Sequence, residues 1–252
     1  MHDEFMQLDH RPFPLPSLPW LLSQVWEDLL FIHYPMDPNV LRNYVPLELE
    51  LDVYQNRAWI TIIPFRVTKM KGRGIPSLPL LNAYLEINVR TYVKYKDIPG
   101  IYFFSLDANH PLFVIGLKTA IGLPYKHANM EFKQMKNAFQ FKSYRLSDKN
   151  TSEKINLTYQ PGNVLFETLP GTLDHWLLER YCMYSFLGKY LIRGDIHHDQ
   201  WKVSNATATT SINTMISFLS ADNCPNTPSL LHYSKQRRVF CYPPKRVGER
   251  LK

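Results

Sequence analysis

The residues best suited to chemistry lie in one strand-like segment, from Tyr84 to Val93. Because side chains alternate between the two faces of a strand, one face collects polar groups and the other collects apolar groups. The polar face carries Tyr84, Glu86, Asn88, Arg90 and Tyr92. Glutamate can transfer protons, and arginine can hold a carboxylate. The pattern predicts a stripe that lines a cavity; the alternative is one solvated face of an ordinary antiparallel sheet.

Within this stripe, Glu86 and Arg90 are expected to act separately. They lie four residues apart on the strand, which is roughly 13 Å at the usual rise per residue, so a direct ion pair would need a bend. Arg90 is then available for an anionic ligand, with Asn88 and Tyr92 beside it as further ligand-binding candidates. Glu86 is the candidate catalytic carboxylate of the cavity.

Histidines offer a second source of acid–base chemistry, in the segment Arg193-Gly-Asp-Ile-His-His. Asp195 and His197 share a strand face, whereas His198 points the other way, so the adjacent pair cannot easily bind one ion. No His-x-His or His-x-x-x-His spacing occurs, and we predict no metal site. His197 is a candidate acid or base because imidazole titrates near neutrality; a hydrogen-bonded structural histidine is the alternative.

The elements that must position these groups are mostly strands. Alternating or buried apolar runs predict strands at 28–34, 47–53, 58–67, 84–93, 101–106, 132–142, 155–167, 190–198 and 206–218. Capping signals predict three short helices, beginning after Asp37, within 109–122, and after Thr172 up to Tyr181. We therefore expect a single mainly β domain over residues 1–252, with an extended proline-rich arm at 1–20 and a basic tail at 243–252.

Composition agrees with a globular protein that can bury a full core: 252 residues, 45% hydrophobic and 13% aromatic. No apolar run is long enough to span a membrane, and the first residues lack the pattern of a signal peptide, so we expect a cytoplasmic protein without a membrane partner. The three cysteines, Cys182, Cys224 and Cys241, are far apart and form no Cys-x-x-Cys pair. Neither a disulfide framework nor a zinc site is expected.

The net charge of +7 is concentrated near the C-terminus, because seven basic residues and one acid follow position 234. Nucleic-acid binding proteins usually carry a basic stripe on a recognisable module, and no such module occurs here. We therefore expect no nucleic-acid partner. A short basic tail is more typical of a solvated end or a contact between subunits of a homo-oligomer.

Motifs along nearly the whole chain resemble the YqjF-like family of uncharacterised bacterial proteins. They are Trp26-Glu-Asp-Leu-Leu-Phe, Asp37-Pro-Asn-Val-Leu-Arg, Ala58-Trp-Ile, Pro64-Phe-Arg, Glu86-Ile-Asn-Val-Arg-Thr-Tyr-Val, Tyr102-Phe-Phe-Ser-Leu-Asp, Leu123-Pro-Tyr, Leu178-Glu-Arg-Tyr and Arg193-Gly-Asp-Ile-His-His. That family in turn resembles acetoacetate decarboxylase in fold. The resemblance implies an antiparallel, cone-like β-barrel around a cavity, in which Glu86 corresponds to a cavity glutamate of the decarboxylase.

The same resemblance implies that the decarboxylase mechanism is altered. The decarboxylase forms a Schiff base through a lysine, and the matching segment here is Gly122-Leu-Pro-Tyr-Lys-His-Ala. Tyr125 stands where that lysine would be, and a phenol cannot form an imine. Lys126 is a candidate nucleophile only if the segment turns it inward; otherwise it is a surface lysine or a charge partner of Glu86.

Two functions remain open. The first is a lyase of non-Schiff-base or altered mechanism that acts on a small organic acid or keto compound, with Glu86 and either Lys126 or His197 transferring protons. The second is a non-catalytic small-molecule binding or sensing protein, which Tyr125 favours. Neither requires a cofactor. In both, Arg90, Asn88, Tyr92 and Tyr125 are the predicted ligand-binding residues.

Overall fold

The computed structural model describes residues 2–75, 83–146, 153–220, 223 and 227–251. Within them the chain forms thirteen strands and three α-helices, so the prediction of a mainly β fold is confirmed. The strands are β1 (Leu22–Met36), β2 (Glu50–Leu51), β3 (Ala58–Gly72), β4 (Tyr84–Tyr95), β5 (Ile98–Ala108), β6 (Tyr125–Gln134), β7 (Phe139–Arg145), β8 (Lys154–Glu167), β9 (Cys182–Leu187), β10 (Tyr190–His197), β11 (Lys202–Asn213), β12 (Leu230–Cys241) and β13 (Lys245–Glu249). The helices are α1 (Pro38–Arg42), α2 (Pro111–Ile121) and α3 (Leu173–Leu178).

These strands belong to one sheet, in the order β13-β10-β9-β5-β6-β7-β8-β11-β12-β1-β3-β4-β2. A further pairing joins β5 to β4, so the strands from β5 round to β4 form a closed ring. Most pairs are antiparallel, as expected of the cone-like barrel, but β5 runs parallel to both β6 and β9. Strands β1, β3 and β4 therefore face the interior of the ring on one side and a second packed layer on the other.

Strand β4 carries the predicted polar stripe and is buried on both faces. Its Ile87 and Val89 pack into one apolar cluster with Ile60 and Phe141. Its opposite face joins a second cluster, which includes Phe31 and Tyr92. The polar stripe therefore does not face bulk water, and the alternative of a solvated sheet face is excluded.

The segment from Pro46 to Arg57 contains two turns and only a short strand. Gln55 and Asn56 adopt positive φ angles of 48° and 62° between bridged Tyr54 and Arg57 and form a tight turn into β3. The predicted strand at 47–53 is wrong, because only Glu50–Leu51 pairs with β4. Leu49 N–H donates to Pro46 O at 3.1 Å, so the preceding residues form a turn instead.

The helix predictions are correct in position, and one is wrong in length. Asp37 accepts from Asn39 N–H at the start of α1, and α2 ends before Gly122, whose φ of 67° suits glycine. Helix α3 ends at Leu178 and not at Tyr181, since Glu179 already has a non-helical ψ of 73° and β9 begins at Cys182. The predicted strand at 132–142 is in fact a hairpin between β6 and β7, closed by Met135 N–H donating to Ala138 O.

Thr172 caps α3, the helix that covers one part of the ring. Its Oγ1 accepts from His175 N–H at 3.3 Å and donates to Leu169 O at 2.6 Å. We expect Thr172→Ala to lower the free energy of unfolding by about 1 kcal/mol, because the first turn loses its acceptor. Thr172→Ser keeps the hydroxyl and should stay close to wild type. Urea unfolding followed by circular dichroism compares the three proteins, and equal stabilities would contradict this role.

Both terminal segments pack on the ring. In the N-terminal arm, Trp20 contacts Phe240 with ring centroids 5.4 Å apart, and Phe13 lies under the Arg193 guanidinium at 4.4 Å. The basic tail contains a strand that the sequence pattern did not indicate, because Lys245–Glu249 pairs antiparallel with β10. No helix in the described ranges is both long and apolar enough to cross a membrane.

Candidate functional site

A cavity of about 200 Å³ lies between β1, β3, β4, β5, β9 and β10, on the face of β4 opposite to Ile87 and Val89. This volume is below the roughly 300–1,000 Å³ of sites that hold drug-sized ligands, so a complementary ligand is small. Phe31, Ile63, Phe65, Ile101 and Leu106 form much of an apolar wall. A few polar side chains interrupt this wall, as in most small-molecule sites.

Four of the five stripe residues line the cavity: Tyr84, Glu86, Asn88 and Arg90. Tyr92 is not among the described lining residues. Its ring is covered by Trp176 of α3, with centroids 4.6 Å apart, and its hydroxyl bonds to Thr61 Oγ1 at 2.6 Å. Tyr92 therefore does not meet a ligand in the cavity, contrary to the predicted ligand-binding role.

Glu86 is buried and hydrogen-bonded to phenols. The Tyr125 hydroxyl donates to Glu86 Oε2 at 2.9 Å, and Tyr84 is a second hydrogen-bond partner of the carboxyl group. Burial raises the pKa of Glu86 to about 7, because desolvation outweighs the two hydrogen bonds that lower it. A carboxyl group with a pKa near neutrality can both accept and donate a proton at physiological pH.

Tyr125 reaches Glu86 because β6 begins beside β5. Leu106 and Tyr125 are register partners in the parallel β5–β6 pair. The turn before β6 uses Gly122, where a Cβ atom would lie only 2.0 Å from the Phe186 carbonyl oxygen. Burial raises the pKa of Tyr125 well above its usual value, so its phenol stays protonated and acts as a donor.

Lys126 does not reach the cavity. It follows Tyr125 in an extended strand, so its side chain points to the opposite side, and it is exposed. Its register partner on β5 is Asp107, which forms an ion pair with Arg145 at 2.9 Å. The predicted alternatives of an inward nucleophile and of a charge partner for Glu86 are therefore wrong in placement. In the part of the chain that the structure describes, no lysine lines the cavity.

Arg90 has an unusual environment for a buried guanidinium. It is only 8% exposed, yet its Nη2 donates to a backbone oxygen, Leu177 O at 3.2 Å, and its Nε has no partner in the described residues. Two other charged groups of the cavity wall are in ion pairs: Arg180 with Asp52 at 2.7 Å, and Asp195 with Arg193. No carboxylate among the described residues lies within ion-pair distance of Arg90.

Two further polar atoms on the cavity wall lack partners in the described structure. They are Asn88 Oδ1 and Trp201 Nε1, both on buried side chains. Buried polar atoms are normally hydrogen-bonded, so unpaired ones next to a cavity indicate where a ligand or water binds. Trp201 was not predicted as a site residue. Only its spatial position next to the cavity identifies it, since it lies far along the chain from the stripe.

His197 lies outside the cavity, beneath the N-terminal arm. Its Nε2 bonds to Glu4 O, its Nδ1 faces Arg11 Nη1 at 3.1 Å, and its ring stacks on Phe5. Burial lowers the pKa of His197 to about 4. The predicted catalytic role is not supported by this position, and the structural alternative fits it. His198, which points the other way, lines the cavity instead.

Cysteines and metal ligands add no reactive centre to the site. Cys182 and Cys241 are free thiols on the cavity wall, and burial raises their pKa values to about 11 and about 12. They are therefore protonated at neutral pH. Cys224 lies outside the described residues. Among the residues that the structure describes, no three histidine, cysteine or acidic side chains are grouped to hold a metal ion.

Comparisons with known proteins agree with this architecture. The model of the DUF2071 family, described as "Uncharacterized conserved protein", matches residues 23–238. The uncharacterized protein YqjF of Bacillus subtilis (strain 168) is 40% identical over 243 residues, which is 96% of this chain and 98% of YqjF.

Solved structures extend the comparison to enzymes. The enduracididine biosynthesis enzyme MppR, complexed with pyruvate, superposes with a TM-score of 0.65 at 10% identity and covers 92% of this chain and 93% of its own. The acetoacetate decarboxylase of Legionella pneumophila gives a TM-score of 0.62 at 16% identity, over 94% of this chain and 92% of its own. At these identities the likeness establishes a shared fold.

Proposed function

Because the chain belongs to the DUF2071 family and shares the fold of acetoacetate decarboxylase, we propose that its cavity binds a small organic acid and exchanges a proton with it. The observation that carries this proposal is the buried guanidinium of Arg90, which lies over the Phe31 and Tyr92 rings and has no carboxylate partner among the described residues. An isolated buried charge is costly, and this cost is offset when a carboxylate enters the cavity. Trp201 Nε1 offers the carboxylate a second donor, and Asn88 is a third polar contact.

Glu86 and Tyr125 supply the acid–base half of the proposal. Glu86 is the proton acceptor, and Tyr125, bonded to it at 2.9 Å, steadies the carboxylate when the proton has left. A base near its pKa at the working pH transfers protons most effectively. With a keto acid held at Arg90, Glu86 would take a proton from the carbon next to the carbonyl, leaving an enolate that regains a proton from the same carboxyl group.

This mechanism does not use a Schiff base. Tyr125 stands where the decarboxylase-like resemblance calls for a lysine, and Lys126 is exposed. Treatment with pyruvate and borohydride, followed by mass mapping of peptides, should therefore leave Lys126 without an adduct. The proposed mechanism would be contradicted if Lys126 is labelled and the labelled fraction rises to a plateau as the pyruvate concentration increases.

Binding is tested with pyruvate, the ligand that MppR holds in its structure. Saturation-transfer NMR should detect binding of pyruvate, and pyruvamide, its neutral counterpart of nearly the same shape, should not bind. Equal signals from both compounds would show that Arg90 does not recognise a carboxylate. This experiment needs no assumption about the reaction.

Catalysis is tested in D₂O with the same compound. If Glu86 acts as a base, the methyl resonance of pyruvate should fall faster with the protein than in buffer alone, because its protons are replaced by deuterium. Glu86→Gln should reduce the protein-dependent rate by at least about 100-fold. Binding without exchange would instead support the second function, a non-catalytic binding or sensing protein, which the phenol at position 125 favours.

A further inference from the structure

A continuous chain of polar side chains crosses four neighbouring strands beneath α3. Starting at the helix, Asp174 Oδ1 lies 3.2 Å from His232 Nε2 on β12. His232 Nδ1 then meets His33 Nε2 on β1 at 3.1 Å, and His33 Nδ1 meets Thr61 Oγ1 on β3 at 2.8 Å. Thr61 Oγ1 finally contacts the Tyr92 hydroxyl on β4 at 2.6 Å. Every member except Asp174 is 0% exposed.

The chemistry of the members gives this chain one direction. A carboxylate only accepts, so His232 presents an Nε2–H to Asp174 and its Nδ1 is an acceptor. His33 must then donate from Nε2, which makes its Nδ1 the acceptor for Thr61. The Thr61 hydroxyl, having donated, accepts from Tyr92. With both imidazoles neutral and protonated on Nε2, the three hydrogen bonds from His232 to Tyr92 are all made, and Asp174 lies at ion-pair distance, 3.2 Å, from the remaining N–H.

Helix α3 lies across both ends of this chain. Asp174, in its first turn, contacts the first histidine, and Trp176 packs on the ring of Tyr92 at the other end. Leu177 follows Trp176, which covers Tyr92, and precedes Leu178, which lines the cavity. The Leu177 carbonyl oxygen accepts from Arg90 Nη2 at 3.2 Å. The polar chain therefore contacts α3, the helix whose Leu177 carbonyl oxygen accepts the described hydrogen bond of Arg90.

We propose that Asp174, His232 and His33 are positioning residues for Arg90: the contact of Asp174 with His232 and the hydrogen bonds that continue from it seat α3 so that Leu177 O holds the guanidinium at the cavity wall. This role rests on the proposed function, in which Arg90 binds the carboxylate. Neutral imidazoles suit it, because a proton on His33 would put a second positive charge near Arg90. Burial lowers the pKa of both histidines, and the charge of Arg90 lowers that of His33 further.

The test compares Asp174→Ala with Asp174→Asn. The asparagine oxygen can still accept from His232 Nε2–H, whereas alanine cannot. In wild type, ¹⁵N NMR of the imidazoles should show the Nε2–H tautomer for both His33 and His232. Asp174→Ala should mix the tautomers, shift the Arg90 Nε–Hε resonance and weaken pyruvate binding about tenfold, the effect of one lost net hydrogen bond. Asp174→Asn should restore all three readouts.

Glu167→Ala is the matched control, because it also removes one acid, here an exposed one paired with Lys202 at 3.1 Å on the surface. It should leave the tautomers and the Arg90 resonance unchanged. An Arg90 resonance that does not move in folded Asp174→Ala would overturn the positioning role. Wild-type protein that does not bind pyruvate would refute the proposed function instead, and the Arg90 resonance would still decide the positioning role.

Discussion

Arg90→Gln should weaken pyruvate binding by at least about 100-fold. The buried guanidinium has no carboxylate partner among the described residues, so a ligand carboxylate would supply its missing charge-assisted bonds. Loss of one partner of a buried, hydrogen-bonded charge pair typically costs 2–5 kcal/mol, and about 2.8 kcal/mol corresponds to 100-fold. An NMR titration of pyruvate against both proteins measures the change.

A second readout separates binding from misfolding. Glutamine removes a buried charge that the ligand-free protein leaves uncompensated, so Arg90→Gln should unfold at an equal or higher urea concentration than wild type. Lys126→Gln is the control, because it removes the same charge from the exposed side of β6 and should not affect binding. Unchanged pyruvate affinity in a folded Arg90→Gln protein is the result that would refute carboxylate recognition by Arg90.

Glu86→Gln should make the protein more stable at alkaline pH and leave it nearly unchanged in acid. The pKa of Glu86 is about 7 in the folded chain and near 4.5 when unfolded, so the folded protein holds a proton that the unfolded chain releases. Wild-type stability therefore falls as pH rises from 4.5 to 7 and stays lower above that range. The shift corresponds to about 3 kcal/mol.

Glutamine resembles the protonated acid, keeps an oxygen for the Tyr125 hydroxyl and does not ionise. Urea unfolding measures the free energy of unfolding of both proteins at pH 4 and pH 8.5. The value for Glu86→Gln minus that for wild type should be about 3 kcal/mol larger at pH 8.5 than at pH 4. Glu167→Gln, at an exposed position, is the control and should show no such growth. Parallel pH profiles for wild type and Glu86→Gln would mean that Glu86 is not desolvated in the folded protein.

The period-two pattern of β4 predicted which side chains share the face that carries the cavity residues, because alternation is a local property of an extended chain. It could not predict which of them meet a ligand. Tyr92 lies on the polar stripe but is covered by Trp176, a residue 84 positions later in the chain. Likewise, the contact between Tyr125 and Glu86 depends on the parallel pairing of β5 with β6. Such contacts follow from strand order, which local patterns do not contain.

The same limit explains the histidines and the helix after Thr172. Alternation correctly separated His197 from His198, but only the position of the N-terminal arm shows that His197 is outside the cavity. The apolar and polar residues up to Tyr181 are compatible with a longer helix. The helix instead ends at Leu178, and Arg180 beyond it binds Asp52 on another part of the fold. A local pattern does not contain a contact between residues so far apart in the chain.

Strand β13, formed by residues that composition alone assigns to a basic tail, occupies one end of the sheet order. A terminal strand leaves one row of backbone N–H and C=O groups unpaired, which can template the addition of another molecule's strand. Lys245 and Arg246 are exposed on this strand. Lys245 pairs with Asp195 at 3.1 Å and Arg246 pairs with Glu249. Long charged side chains beside the edge hinder the approach of a second strand, so β13 is protected against edge-to-edge aggregation.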